Sequence, residues 1–143
     1  MTEHTAATYT GACLCGAVRY AASGEPAMQY NCHCRDCQRM SGAGYLPIMG
    51  FPQAAVTIAG EVHWYLRTAD SGRPASEGFC PTCGARLFGQ GEGVPGLMLV
   101  MVGTLDEPAR FRPTANIYTR AAPVWDAMDA AVPVYGGDPP ATS

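Results

Sequence analysis

Apolar and polar positions alternate along this chain mostly with a period of two, in short runs broken by glycine and proline. Residues 17–22 place Val18 and Tyr20 on one face and Arg19 on the other, which predicts a strand leaving Gly16. Residues 45–49, 56–59 and 63–67 are further strand candidates, separated by Gly50-Phe51-Pro52 and Gly60-Glu61. The longest apolar run, 97–102, has strand length and reads as a buried strand; 86–88 and 115–119 are shorter candidates. Helical periodicity is weak. Residues 32–40 read as a knuckle running into a short helix that Ser41-Gly42 stops, and 105–109 as a single helical turn. Residues 68–76 and the glycine-rich 89–96 read as loops, the latter without the Lys-Ser/Thr of a phosphate-binding loop. Many short strands and no long amphipathic helix predict a mainly β domain.

The 143 residues suffice for one domain with a real core, taken as 11–135 between a polar N-terminus, 1–10, and a Gly-Pro-rich tail, 136–143, both expected to be flexible. Nearly half the residues are apolar and few are charged, as in a globular chain. The net charge of −3 speaks against a dedicated nucleic-acid binder. All nine basic residues are Arg, so every cationic contact to a ligand is a guanidinium fork. No run approaches the ~18 apolar residues of a membrane span, and the N-terminus lacks the apolar region of a signal peptide. The expectation is a cytoplasmic protein with reduced thiols.

Cysteine use changes the picture most. Seven is an odd number, which a disulfide framework would leave unbalanced. The residues fall into Cys13-Leu14-Cys15, Cys32-His33-Cys34-Arg35-Asp36-Cys37 and Cys80-Pro81-Thr82-Cys83. Gly16 and Gly84 follow the outer two, as a tight turn with its amides aimed at sulfur requires. Cys13, Cys15, Cys80 and Cys83 therefore read as halves of one closed four-thiolate zinc site, which is structural. Cys32, Cys34 and Cys37 remain, and three ligands leave a tetrahedral ion one position for water or an incoming thiolate. Two alternatives stay open: His33 as a fourth ligand that closes this second site, and Cys80/Cys83 as a redox dithiol.

These motifs, in this order, resemble the family of glutathione-dependent formaldehyde-activating enzymes, which includes centromere protein V. The resemblance runs from Gly11-Ala12-Cys13-Leu14-Cys15-Gly16 through the central knuckle with Gln38-Arg39 and Ser41-Gly42. It continues at Phe79-Cys80-Pro81-Thr82-Cys83-Gly84, Gly103-Thr104-Leu105-Asp106-Glu107-Pro108, Asn116-Ile117-Tyr118 and Pro123-Val124-Trp125. It implies a zinc β-tent of short antiparallel strands. It also implies two zinc ions per chain, structural on the outer cysteines and catalytic on Cys32, Cys34 and Cys37. The implied chemistry is that of a carbon–sulfur lyase joining glutathione to formaldehyde. The chain departs from the family at Glu77, where members often carry a basic residue, and at Asn116, where members often carry His.

Arg35 and Arg39, four apart on the expected helix, could clamp a substrate carboxylate; the plain alternative is a solvated face with a local pair to Asp36. Tyr118 and Trp125 could floor a pocket, but are more often core or dimer contacts, so a homodimer stays open. His63 reads as half-buried on its strand, and the carboxylates at 106, 107, 126 and 129 receive no catalytic role. The expected partner is a small-molecule thiol adduct, with no nucleic acid and no membrane. A non-catalytic, zinc-stabilised binding module is the second reading.

Overall fold

The computed structural model describes residues 8–139. Among the described residues ten strands occur in chain order: β1 (Thr8–Ala12), β2 (Arg19–Ser23), β3 (Met28–Cys32), β4 (Leu46–Pro52), β5 (Val56–Ala59), β6 (His63–Thr68), β7 (Pro74–Phe79), β8 (Arg86–Gly91), β9 (Leu97–Met101) and β10 (Ala115–Ile117). The α-helix, α1 (Arg35–Ser41), lies between β3 and β4, and single 3-10 turns fill several connections. The protein is mainly β, with little helix, as the short-period pattern predicts.

The strands form two sheets. A three-stranded sheet has the order β1-β2-β5, and a seven-stranded sheet the order β10-β3-β4-β9-β8-β7-β6. Every pairing is antiparallel except β10 on β3, which is parallel, with Asn116 opposite Asn31 and Ile117 opposite Cys32.

The large sheet is covered on both faces, and this explains its sequence. On one face Tyr9, Val18, Tyr20 and Ala22 of the small-sheet region pack on Met49, Phe51, Phe88, Met98 and Val100. Tyr20 meets Phe88 edge-on at 5.2 Å and Tyr9 meets Phe51 at 5.3 Å. On the other face Cys32, Cys37, Leu46, Ile48, Met101, Ala115 and Ile117 form a second cluster. In β4 and β9 alternate residues therefore enter different cores: Met98 and Val100 one way, Leu99 and Met101 the other. A strand covered on both faces reads as a continuous apolar run, which is why 97–102 stood out.

Several expectations shift. Strand β1 begins at Thr8, inside the stretch expected to fray; residues 1–7, like 140–143, lie outside the described residues. Within the expected C-terminal tail, the Gly137 carbonyl accepts from the Tyr118 amide at 3.0 Å. The loop expected over 68–76 gives way to β7 from Pro74, and that over 89–96 to β8 as far as Gly91. These strands are rich in Gly and Ser because they are ordered by pairing with β6 and β9, and local propensity does not report that. The helical turn expected at 105–109 appears as a 3-10 turn at Pro108–Arg110.

Candidate metal centres

Cys13 and Cys15 sit on the turn from β1 to β2, and Cys80 and Cys83 on the turn from β7 to β8. The two turns share a design. Gly16 (φ 81°) and Gly84 (φ 78°) take left-handed conformations that side chains rarely adopt. Their amides return to the carbonyls of Cys13 and Cys80, at 3.2 and 2.8 Å. The tight turns aim further amides at sulfur: Val18 donates to Cys13 Sγ at 3.2 Å, and Thr82 and Cys83 to Cys80 Sγ at 3.4 and 3.5 Å. The four sulfurs lie within 4.8 Å of one another. Cys13–Cys15 and Cys15–Cys80 are separated by 3.7 and 3.8 Å. A tetrahedral ion with metal–sulfur bonds of about 2.3 Å needs S···S edges of about 3.8 Å. The donor set fits zinc, and all seven cysteines are free thiols.

Cys32, Cys34 and Cys37 form the second cluster, on the opposite face of the large sheet, with sulfurs again within 4.8 Å of one another. Cys32 ends β3, Cys34 caps the N-terminus of α1 and accepts from the Cys37 amide at 3.3 Å, and Cys37 lies in the first turn. The crowding is visible in the thiol acidities. Hydrogen bonds from Cys32 and then Cys37 pull Cys34 down to about 2. Hydrogen bonding with Cys34 pushes Cys32 up to about 12, and hydrogen bonding with Cys32 and then Cys34, with burial, pushes Cys37 far above the ordinary thiol range. Three sulfurs gathered this closely form a donor set that also suits zinc.

His33 is no member of this cluster. Its neighbours Cys32 and Cys34 turn toward the metal face while its ring, 1 % exposed, turns the other way. There Nδ1 pairs with Asp126 Oδ2, and Nε2 lies 2.9 Å from Asn116 Oδ1. Asp126, given no catalytic role from the sequence, is thus joined to the central knuckle. Gln38 strengthens the same junction: its Nε2 donates to the carbonyls of His33 (2.8 Å) and Ala121 (3.0 Å).

Arg35 donates to Gln38 Oε1, so it does not stand free beside Arg39. Asp36 pairs instead with Arg67 Nη1 at 2.8 Å, and Arg67 Nε reaches Glu77 at 3.1 Å. The 5 %-exposed Glu77 lies across Gly89, where a β-carbon would come within 3.2 Å of its Oε1. Burial pushes the Glu77 carboxyl above the ordinary range, with Arg67 pulling the other way. Burial works to lower the Arg67 pKa, but Glu77, Asp36 and Cys37 hold it above its usual value. No spacing in the sequence links residues 36, 67 and 77; only the departure at Glu77 pointed there.

Tyr118 is, among the described residues, the non-glycine residue with positive φ (55°). Such backbone is costly and clusters at functional sites. Burial, then Asp138, then the nearby Cys32 and Cys34, push its phenol up to about 12. It lines a hollow of about 450 Å3 with Tyr30, Leu99 and Arg67. Trp125, by contrast, is 69 % exposed, and His63 is exposed against the Phe79 ring, not half-buried.

The sequence profile of the glutathione-dependent formaldehyde-activating enzymes matches residues 8–121. The chain belongs to this family. The match spans β1 through β10 and therefore all seven cysteines of the formaldehyde-activating family member. A crystal structure of a Rhodobacter sphaeroides protein shares the fold, with a TM-score of 0.55 and 23% identity, over 68% of this chain and 87% of that one. No curated protein matches the chain. Among the described residues, no helix is long and apolar enough to cross a membrane.

Proposed function

We propose that this protein is a zinc-dependent carbon–sulfur lyase of the S-(hydroxymethyl)glutathione synthase type, acting on adducts of glutathione or a similar small thiol in the cytoplasm. Cys13, Cys15, Cys80 and Cys83 hold a structural zinc; Cys32, Cys34 and Cys37 hold the catalytic one. The observation that carries this reading is the three-thiol cluster whose adjacent His33 is engaged by Asp126 and Asn116. A tetrahedral ion held by three protein sulfurs accepts one further donor. With His33 taken up elsewhere, the closed, non-catalytic module loses its fourth ligand.

Zinc at this site would supply a positive centre that keeps a bound thiol ionised near neutral pH. The chain's own residues do the rest. The Cys37 amide and the cap of α1 orient Cys34, and Gln38 ties the helix to the C-terminal segment. Arg67, fixed by Glu77 and Asp36, keeps a guanidinium near a site that gathers negative charge. The substrate sulfur forms its bond to the aldehyde carbon, the carbonyl π pair moves to oxygen, and the proton released by the thiol ends there as the hydroxyl.

Cobalt in place of zinc tests the reading. Glutathione added to the cobalt-loaded protein is expected to change the sulfur-to-cobalt charge-transfer absorption, and the Cys34→Ser protein to lose that response. An unchanged wild-type spectrum would contradict thiol activation at this site.

A further inference from the structure

A hollow of about 440 Å3 between α1 and β6–β8 carries charge that the three-cysteine cluster does not account for. Its two acids, Asp36 and Glu77, both go to Arg67. Two more arginines line it. Arg39 reaches it from α1 and is in no ion pair among the described residues. Arg86 reaches it from β8, and its Nη1 is buried without a hydrogen-bond partner. Three guanidinium groups against two carboxylates leave one positive charge over. A buried N–H without an acceptor is costly, and a carboxylate offers two oxygens in the geometry a guanidinium fork matches.

The hollow is joined to the cysteine cluster through α1. Asp36 directly precedes Cys37. Met40, one helical turn beyond Cys37, lines the hollow and also packs on the cluster that contains Cys32 and Cys37. An elongated thiol compound with its sulfur at the cysteines has this hollow as its neighbour. Arg35 is held by Gln38, so the cationic pair facing such a ligand is Arg39 with Arg86, drawn from two elements, and not Arg35 with Arg39.

Resting on the reading that the three-cysteine site receives a thiol, we propose that this hollow binds a carboxylate of the thiol substrate through Arg39 and Arg86. The site thereby selects anionic thiols over neutral ones. Arg67 is the partition between this hollow and the one lined by Tyr118, since it borders both and is fixed at both ends.

The test uses S-methylglutathione, which keeps both carboxylates and has no free thiol, titrated calorimetrically into the zinc-loaded protein. Wild type is expected to bind it in a salt-sensitive way, and Arg39→Met with Arg86→Met to bind it about 10- to 100-fold more weakly, the loss of charge-assisted hydrogen bonds. Glutathione diethyl ester, whose carboxylates are blocked, is expected to bind wild type no better than the variant binds S-methylglutathione. Equal affinity of wild type and variant for S-methylglutathione, or no binding by wild type, overturns the proposal. Arg86 lies over the Phe79 ring at 5.8 Å, so Arg39→Met alone, on an exposed position of α1, carries the test if the double variant does not fold.

Cobalt spectra separate this proposal from the reading beneath it. A glutathione response that is identical in wild type and variant at every concentration keeps thiol binding and rejects the hollow. Arg-dependent binding of S-methylglutathione, with no cobalt response to glutathione or 2-mercaptoethanol, keeps the hollow and rejects thiol activation.

Discussion

The two faces of the seven-stranded sheet carry the same ligand chemistry in different surroundings. On the small-sheet side, four sulfurs from two glycine-closed turns meet in a cage that joins the first strand to the β7–β8 turn, with Cys13 and Cys80 part of the core. On the α1 side, three sulfurs come from one short knuckle, beside two hollows and a fixed guanidinium. On the proposed function, donor number and surroundings, not the thiol itself, separate a site that holds the fold from one that receives a ligand.

The largest difference is expected on removing a buried sulfur from the cage. Cys80→Ser should abolish the cooperative thermal transition, since binding such an ion contributes on the order of 10 kcal/mol in small domains. A variant that still melted near the wild-type temperature would place the structural burden elsewhere. Next comes the core beneath the small sheet. Phe88, fully buried against Tyr20 and stacked with Trp64, should cost about 3–5 kcal/mol as Phe88→Ala in denaturant unfolding, with the three-cysteine metal retained.

On the α1 side, Asp126→Ala removes one partner of a pair whose side chains are 1 % and 2 % exposed. The expected loss is about 3 kcal/mol. Metal at the three-cysteine site should exchange faster in this variant, while the four-cysteine site is unchanged. Equal acceleration at both sites would erase the distinction between the faces.

The smallest effect concerns Glu77, whose folded-state pKa is raised by burial. Such a group favours the fold most when protonated, below the ordinary carboxylate pKa. That contribution is lost as pH rises through the raised folded value. Wild-type stability should therefore decline over this window, and Glu77→Gln should flatten the decline; parallel pH profiles for the two proteins would show that Arg67 offsets the burial.

The strands that the alternating pattern revealed are those with one consistent face or with two buried ones, such as 56–59 and 97–102. Strands β3 and β7 were missed because Gln29, Asn31, Ser76 and Gly78 are ordered by neighbouring strands rather than by their own propensity. The grouping of cysteines was legible from spacing and from the glycines that follow them. The role of His33 was not, since its partners Asn116 and Asp126 lie 83 and 93 residues away and no periodic pattern connects them. Arg67, 31 residues from Asp36 and on a different strand from Glu77, is likewise linked to them by the fold and not by spacing, and spacing favoured the local pairing of Arg35 with Arg39.

Metal content tests the division between the two faces most directly. Wild-type protein should carry two zinc ions per chain, and Cys34→Ser one, with its thermal transition preserved. One ion in both proteins, or unfolding of Cys34→Ser, would contradict the assignment of one structural and one open site.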